Sequence, residues 1–193
     1  MHRPRILAGM FLLIASTGAP AQSPYTISGL HLDLVLGAAV SQAEKLGGRC
    51  EVNASRANES GKSVQCEYSH CVKSAMTDGC EEEESSGTGP TVASYPIASI
   101  LLEAPDDATT LTRIVMAYKG DTDAVAAGLI EAFGPADAGG APTGKKSWSH
   151  ARRWNWTQGH YRAGLLDSPQ LIILAIDPAL KSTGAGSQPE AAP

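Results

Sequence analysis

Residues 147–164 read SWSHARRWNWTQGHYRAG. Three tryptophans (Trp148, Trp154, Trp156), Tyr161, two histidines and three arginines fall in this one stretch, whereas aromatic residues make up only 5% of the chain. Such a cluster is a ligand platform, a catalytic patch or the buried face of a β-hairpin, and the choice decides the fold. The run Arg153-Trp154-Asn155-Trp156 alternates polar and apolar at the period of a strand. Gln158-Gly159 offers the glycine-containing two-residue link that hairpins favour. With that tip, Trp156 faces Tyr161, Trp154 faces Ala163, Arg152 faces Leu165 and His150 faces Asp167. A second turn at DSPQ, residues 167–170, then lays Leu174 beside Ala163 and Ile176 beside Tyr161. One face of the resulting meander carries Trp154, Trp156, Tyr161, Leu165, Ile172, Leu174 and Ile176. That face reads as core, each large side chain contributing about 1.5–3 kcal/mol on burial.

The opposite face carries Arg153, Asn155, Arg162, Gly164, Ile173 and Ala175. No acid lies between Asp137 and Asp167, while Lys145, Lys146, Arg152, Arg153 and Arg162 all do. Two readings stay open for this face. It is a solvated sheet surface, or it is a docking surface for a protein partner with an acidic surface, with Arg153, Asn155 and Arg162 as its binding residues.

Upstream, LDLVLGAAVSQAEKLGG reads as a helix with Leu36, Ala39, Val40, Ala43 and Leu46 on one stripe. Asp33 is its expected cap, and Gly47 and Gly48 its stop. DTDAVAAGLIEAFGP reads as a second helix, with Ala126, Leu129, Ile130 and Phe133 inward. Asp121 caps it, and Gly134 with Pro135 ends it. RCEV and SVQCEYS follow the first helix as strands, then a long polar loop from Cys71 to Thr91, then the strands IASILLEA and LTRIVMAY. The order is helix, four strands, helix, three strands, with short links. That predicts an α+β fold: an antiparallel sheet with two short helices on one face, arranged as a loose tandem repeat of helix plus β-meander.

The N-terminus has basic Arg3 and Arg5, the apolar run ILAGMFLLIAST, and Ala19 and Ala21 at small-residue positions. A dozen apolar residues are too few to span ~30 Å of hydrocarbon, so the pattern predicts a cleaved signal peptide over residues 1–21. No cysteine follows the run, so no stable membrane anchor is expected, and the chain is expected to be periplasmic or secreted. The tail from 181 to 193 lacks core-forming residues and is expected to be disordered. The remainder divides into a first half, 22–119, and a second half, 120–180. Removing Arg3 and Arg5 takes the net charge from −5 to −7. An acidic exported chain is a poor fit for nucleic acid.

Cys50, Cys66, Cys71 and Cys80 form an even set in an oxidising compartment, which favours disulfides over a metal. Three pairings are possible. A hairpin of RCEV and SVQCEY centred near Asn58 sets Cys50 opposite Cys66, leaving Cys71 and Cys80 to close the next loop. The alternative, metal ligation with His70, has no zinc-like spacing.

The stretch GLHLDLVLGAAVSQAEKLGGRCEV…SVQCEY resembles the repeat unit of the β-lactamase-inhibitor-protein and BamE-like fold. The common features are a short helix, a glycine stop, a cysteine entering the first strand and its partner on the next. The resemblance implies an uncovered sheet face used for binding proteins. The chain departs from that pattern in its LDLV helix entrance, its cysteine-free second half and its lack of a lipid-anchor cysteine.

Catalytic patterns are sparse. His150 and Asp167 with Ser149 or Ser168 make a conceivable triad for a small envelope hydrolase, but Ser149 points to the other face and no nucleophile elbow is present. Glu81–Glu84 are consecutive and cannot converge like spaced calcium ligands. There is no phosphate loop, dinucleotide fingerprint or metalloprotease helix, so no cofactor or metal is expected. The sequons at Asn53, Asn58 and Asn155 carry no meaning if, as the Ala/Gly-rich style suggests, the source is bacterial. The expectation is a non-catalytic binding module, with the hydrolase and an envelope-assembly factor as alternatives.

Overall fold

The structure is a computed structural model and describes residues 23–53, 61–68, 89–140 and 151–177, together with the backbone of 70–73 and 80–83. The signal peptide, the C-terminal tail and residues 141–150 expected above lie outside the described residues. In chain order the elements are α1 (Leu36–Lys45), β1 (Arg49–Val52), β2 (Lys62–Glu67), β3 (His70–Lys73), β4 (Cys80–Glu83), β5 (Thr91–Val92), β6 (Tyr95–Ala104), β7 (Arg113–Tyr118), α2 (Thr122–Phe133), β8 (Arg153–Gln158), β9 (Tyr161–Asp167) and β10 (Gln170–Ile176). Eight strands form one open antiparallel sheet in the order β1-β2-β6-β7-β10-β9-β8, with β5 paired to β6 off that path. The expected α+β class with an antiparallel sheet and two helices is the observed one.

Strand alternation builds the core row by row. The register aligns Cys50, Cys66, Ile100, Met116, Ile172, Leu165 and Trp154 across the sheet. The next row runs Val64, Leu102, Ile114, Leu174, Ala163 and Trp156. Except for half-buried Cys50, every member of both rows is buried. Leu36, Ala39 and Ala43 of α1 and Val125, Ala126 and Leu129 of α2 join the same cluster, so both helices cover this one face.

The helix ends follow from local chemistry. Gly47 N–H bonds Glu44 O at 2.9 Å and Gly48 N–H bonds Ala43 O at 3.0 Å, the paired bonds of a Schellman stop. Asp121 caps α2 by accepting from Ala124 N–H at 3.0 Å, and Gly134 follows Phe133.

Four sequence expectations need correction. Asp33 does not cap α1; Val35 holds that position without a side-chain cap, and Asp33 is committed elsewhere. Ile130 is 40% exposed, because α2 turns Thr122, Val125, Ala126 and Leu129 inward instead. The polar segment after Cys71 is not all loop: β3 and β4 pair as a separate two-stranded sheet, with Cys71 opposite Glu82 and Cys80 opposite Lys73. The expected Cys71–Cys80 bridge concerns side chains outside the described residues. Finally, α1 begins at Leu36 and not at Leu32; Leu32, like Tyr25, Ile27 and Leu30 before it, is buried outside any helix or strand. Cys50 and Cys66 are bonded as expected, at 2.07 Å, directly opposite each other with Cα atoms 4.0 Å apart.

Candidate functional site: the uncovered sheet face

The aromatic cluster of 147–164 is resolved by β8, β9 and β10. The turn lies at Gly159–His160, one residue beyond the expected tip, and Gly159 takes φ +58° at the first central position. That is where a type II′ hairpin needs glycine. Trp156 therefore faces Ala163, and Trp154 faces Leu165. The shift moves each partner by two residues, so every side chain keeps its face. Trp154, Trp156, Tyr161, Leu165, Ile172 and Leu174 are buried and Ile176 half-buried, on the expected core side. The described aromatics of the cluster, Trp154, Trp156 and Tyr161, are core and not a ligand platform, and Trp148 lies outside the described residues.

The other face bears the candidate binding residues. Across the sheet one row runs Gln65, Leu101, Val115, Ile173, Gly164 and Asn155. The flanking row runs Ser99, Ala117, Leu171, Leu166 and Arg153. Among the described residues no helix covers this face, and Leu101, Val115, Ile173, Ala117, Leu171 and Leu166 are only half-buried. Sequence reading had placed Ile173 here but missed Leu101 and Val115. Their alternation within β6 and β7 carried the signal; the missing piece was which strands adjoin β10.

Tertiary pairing changes the electrostatics of the hairpin. Arg152 Nε donates to Asp167 Oδ2 at 3.0 Å and its NH1 to Asp123 Oδ1 at 2.6 Å. Asp167, then Asp123, hold this guanidinium even more firmly protonated than usual. Arg162 is paired with Asp177. Arg153 differs: its Nε donates to Asn155 Oδ1 at 2.8 Å, and it meets no carboxylate among the described residues. Among the described residues, two of the three arginines of the acid-free stretch, Arg152 and Arg162, are thus paired with acids from α2 and from the ends of β9 and β10. The remaining unmatched arginine charge of the stretch among the described residues is at Arg153.

Arg153, Asn155, Arg162, Gly164, Ile173 and Ala175 surround a shallow concavity of about 160 Å³. It exists because the Asn155–Gly164 pair has a side chain on one strand only. A Cβ at Gly164 would meet Asn155 Oδ1 at 3.8 Å and Arg153 NH2 at 4.0 Å, which places the guanidinium at the rim of the notch. The hairpin edge is held from outside: Asp137 N–H bonds Asn155 O and Asn155 N–H bonds Ala138 O, both at 2.8 Å. That strap lies so close to Trp154 that a Cβ on Gly139 would sit 2.4 Å from the indole Cδ1. The three candidate residues are therefore mounted on a braced strand pair.

The conceivable triad is not assembled among the described residues. Asp167, expected opposite His150, accepts from Arg152 N–H at 2.7 Å as well as from its Nε. His150 and Ser149 lie outside the described residues. A second polar cluster, unanticipated from sequence, joins Ser23, His31, Asp33 and Tyr161. Tyr161 donates to Asp33 Oδ1 at 2.7 Å, Ser23 N–H donates to Asp33 Oδ2, and His31 Nδ1 lies 3.9 Å from that oxygen. Ser23 Oγ is turned to Tyr25 O at 3.4 Å, so no nucleophile–base contact forms here. The cluster instead ties the segment before α1 to the sheet. Among the described residues no group of three or more His, Cys, Asp or Glu is placed to hold a metal ion, and no helix is long and apolar enough to cross a membrane.

This cluster has a pH consequence. Burial, with Asp33 adding to it, pushes the Tyr161 hydroxyl up to about 12, and burial does the same to Tyr68. Both lie above the value of 10.0 expected for an unfolded tyrosine. The folded state thus disfavours the phenolate, and the stability these groups contribute is intact below pH 10 and lost as pH rises towards 12. Burial also raises Tyr25 and Tyr118, so absorbance titration should show four tyrosines ionising above the ordinary range, with Tyr161→Phe removing one of them. Ordinary titration of all five tyrosines near pH 10 would contradict the burial of these four.

No known protein family, curated protein or solved structure matches the chain.

Proposed function

We propose that this chain is an exported, non-catalytic binding module that docks a protein partner with an acidic surface on its uncovered sheet face. The observation that carries the reading is the uncovered row of Leu101, Val115 and Ile173 ending at Asn155, with Arg153 at the end of the row beside it. An apolar centre with a polar, charged rim is the anatomy of a protein interface. Export is supported by the N-terminal pattern and by the Cys50–Cys66 bridge, a bond that persists in oxidising compartments. A periplasmic or secreted location follows from the same two features.

The reading is also in keeping with the tandem helix-plus-meander form. α1 precedes a meander that starts at one sheet edge, and α2 precedes a meander that starts at the other. A repeat of that kind, similar to the β-lactamase-inhibitor-protein and BamE-like fold, leaves one face of the sheet open for a partner.

The test is capture from an envelope extract by the mature chain and by Arg153→Glu/Arg162→Glu. Arg153 and Arg162 are both exposed and contribute nothing to the core, so the variant should keep the parent's circular dichroism. The parent should retain a protein that the variant loses at least tenfold at low salt. The difference should shrink as salt shortens the Debye length below ~10 Å. Equal retention of the same protein across the salt series would reject this face as the docking surface.

A further inference from the structure

We propose that the Gly164 notch is a carboxylate subsite, in which Arg153 receives a glutamate or aspartate side chain of the docked partner. The inference rests on the docking reading above and names the contact at its centre.

Three observations converge on it. First, Arg153 is pre-oriented. Its Nε is spent on Asn155 Oδ1 at 2.8 Å, leaving two terminal nitrogens with no partner among the described residues. A guanidinium held at Nε presents its remaining donors as a fork, and a carboxylate matches a fork with two parallel bonds. Second, its neighbours are not in the same state: Arg152 is held by Asp167 and Asp123, and Arg162 by Asp177. A partner's acid gains most at the arginine whose charge is not already matched. Third, the notch provides room for the stem. Gly164 removes a side chain from the floor, and Ile173 and Ala175 give the floor an apolar wall. A carboxylate on a methylene stem fills that shape.

The notch is also separable from the fold. A Cβ at Gly164 meets nothing closer than 3.8 Å, an ordinary contact distance, so the backbone accepts a side chain at this position. Arg153 is exposed, and its replacement leaves the core untouched.

The probe is N-acetyl-glutamate N-methylamide, whose single carboxylate mimics the side chain, with the N-acetyl-glutamine N-methylamide as its neutral twin. Each is titrated into the ¹⁵N-labelled mature protein. The acid should give saturable shifts at the Arg153 Nε–H, the Asn155 side-chain amide and the Gly164 amide, with midpoint in the millimolar range. The neutral twin should give less than one-fifth of those shifts. Arg153→Gln should abolish saturation, Gly164→Val should weaken it at least fivefold with unchanged melting, and Arg49→Gln, on β1 at the opposite edge of the sheet, should alter it less than twofold. Absence of a saturable shift, equal shifts from the two probes, or full binding to Gly164→Val would each overturn the subsite. These outcomes are independent of the capture experiment, in which the docking face fails only if the double reversal retains the partner.

Discussion

Trp156→Ala is expected to lower the free energy of unfolding by about 3–5 kcal/mol, the range for removing a large aromatic from a packed core. The ring is 2% exposed. Its edge packs against Phe133 with centroids 6.0 Å apart, and Phe133 in turn packs on Tyr25 at 4.9 Å. The indole Nε1 donates to Gly134 O at 2.8 Å, the carbonyl of the residue that ends α2. Alanine therefore opens a cavity between β8 and α2 and strips the helix end of its donor at the same time. Trp156→Phe separates the two effects, since it keeps most of the packing and removes the donor, at a cost of about 1–2 kcal/mol. Urea unfolding measures both, as a fall in midpoint at constant slope. A loss below 1 kcal/mol for the alanine variant would place the ring outside the core and return the aromatic cluster to the status of a ligand platform.

Cys50→Ala/Cys66→Ala is expected to cost about 3 kcal/mol, the value for a cross-link closing a loop of about 15 residues. The two cysteines are 16 residues apart. The loss should also be local in character. β1 is a four-residue edge strand, paired only to β2, with Val52 73% exposed. Little apolar burial holds it beyond the bridge and the contact with α1. Without the bridge, hydrogen exchange should accelerate first over residues 49–53, before β6 and β7 at the sheet centre. Peptide mapping of the parent should recover Cys50 joined to Cys66. Recovery of Cys50 joined to Cys71 or Cys80 would contradict the β1–β2 register.

Much of this architecture is legible in the sequence, for definite reasons. Period-two alternation marks which side of each strand is apolar, and that was enough to assign Trp154, Trp156 and Tyr161 to the core and Arg153, Asn155 and Arg162 to the other face. The register between β9 and β10 was also readable, because DSPQ allows one turn between two alternating runs; Leu174 does lie opposite Ala163 and Ile176 opposite Tyr161. The β8–β9 tip was not, because Gln158-Gly159 and Gly159-His160 are both acceptable two-residue links and both keep every side chain on its face. The Cys50–Cys66 pairing was within reach because a single hairpin centre, near Asn58, opposes them.

What only the tertiary structure decided is everything that depends on partners distant in sequence. Composition along the chain makes 145–162 a basic stretch, but Asp123 reaches Arg152 from 29 residues away and Asp177 neutralises Arg162 from the end of β10. Asp33 looks like a helix cap by local rules, yet a bond to Tyr161, 128 residues on, holds it in a different role. Leu30 belongs to no periodic element and Leu32 reads as the start of a helix that begins only at Leu36, yet both are buried because the sheet and helices leave that space to fill. The notch at Gly164 is of the same kind. A glycine in a strand is legible by itself, but that Asn155 faces it and Arg153 reaches over it follows from the pairing of β8 with β9. Local sequence sets the period, the turns and the side each residue takes, because those depend on neighbours within a few bonds. Which charges remain unmatched and which surface stays uncovered are properties of strand order and packing, and those arise only when distant segments meet.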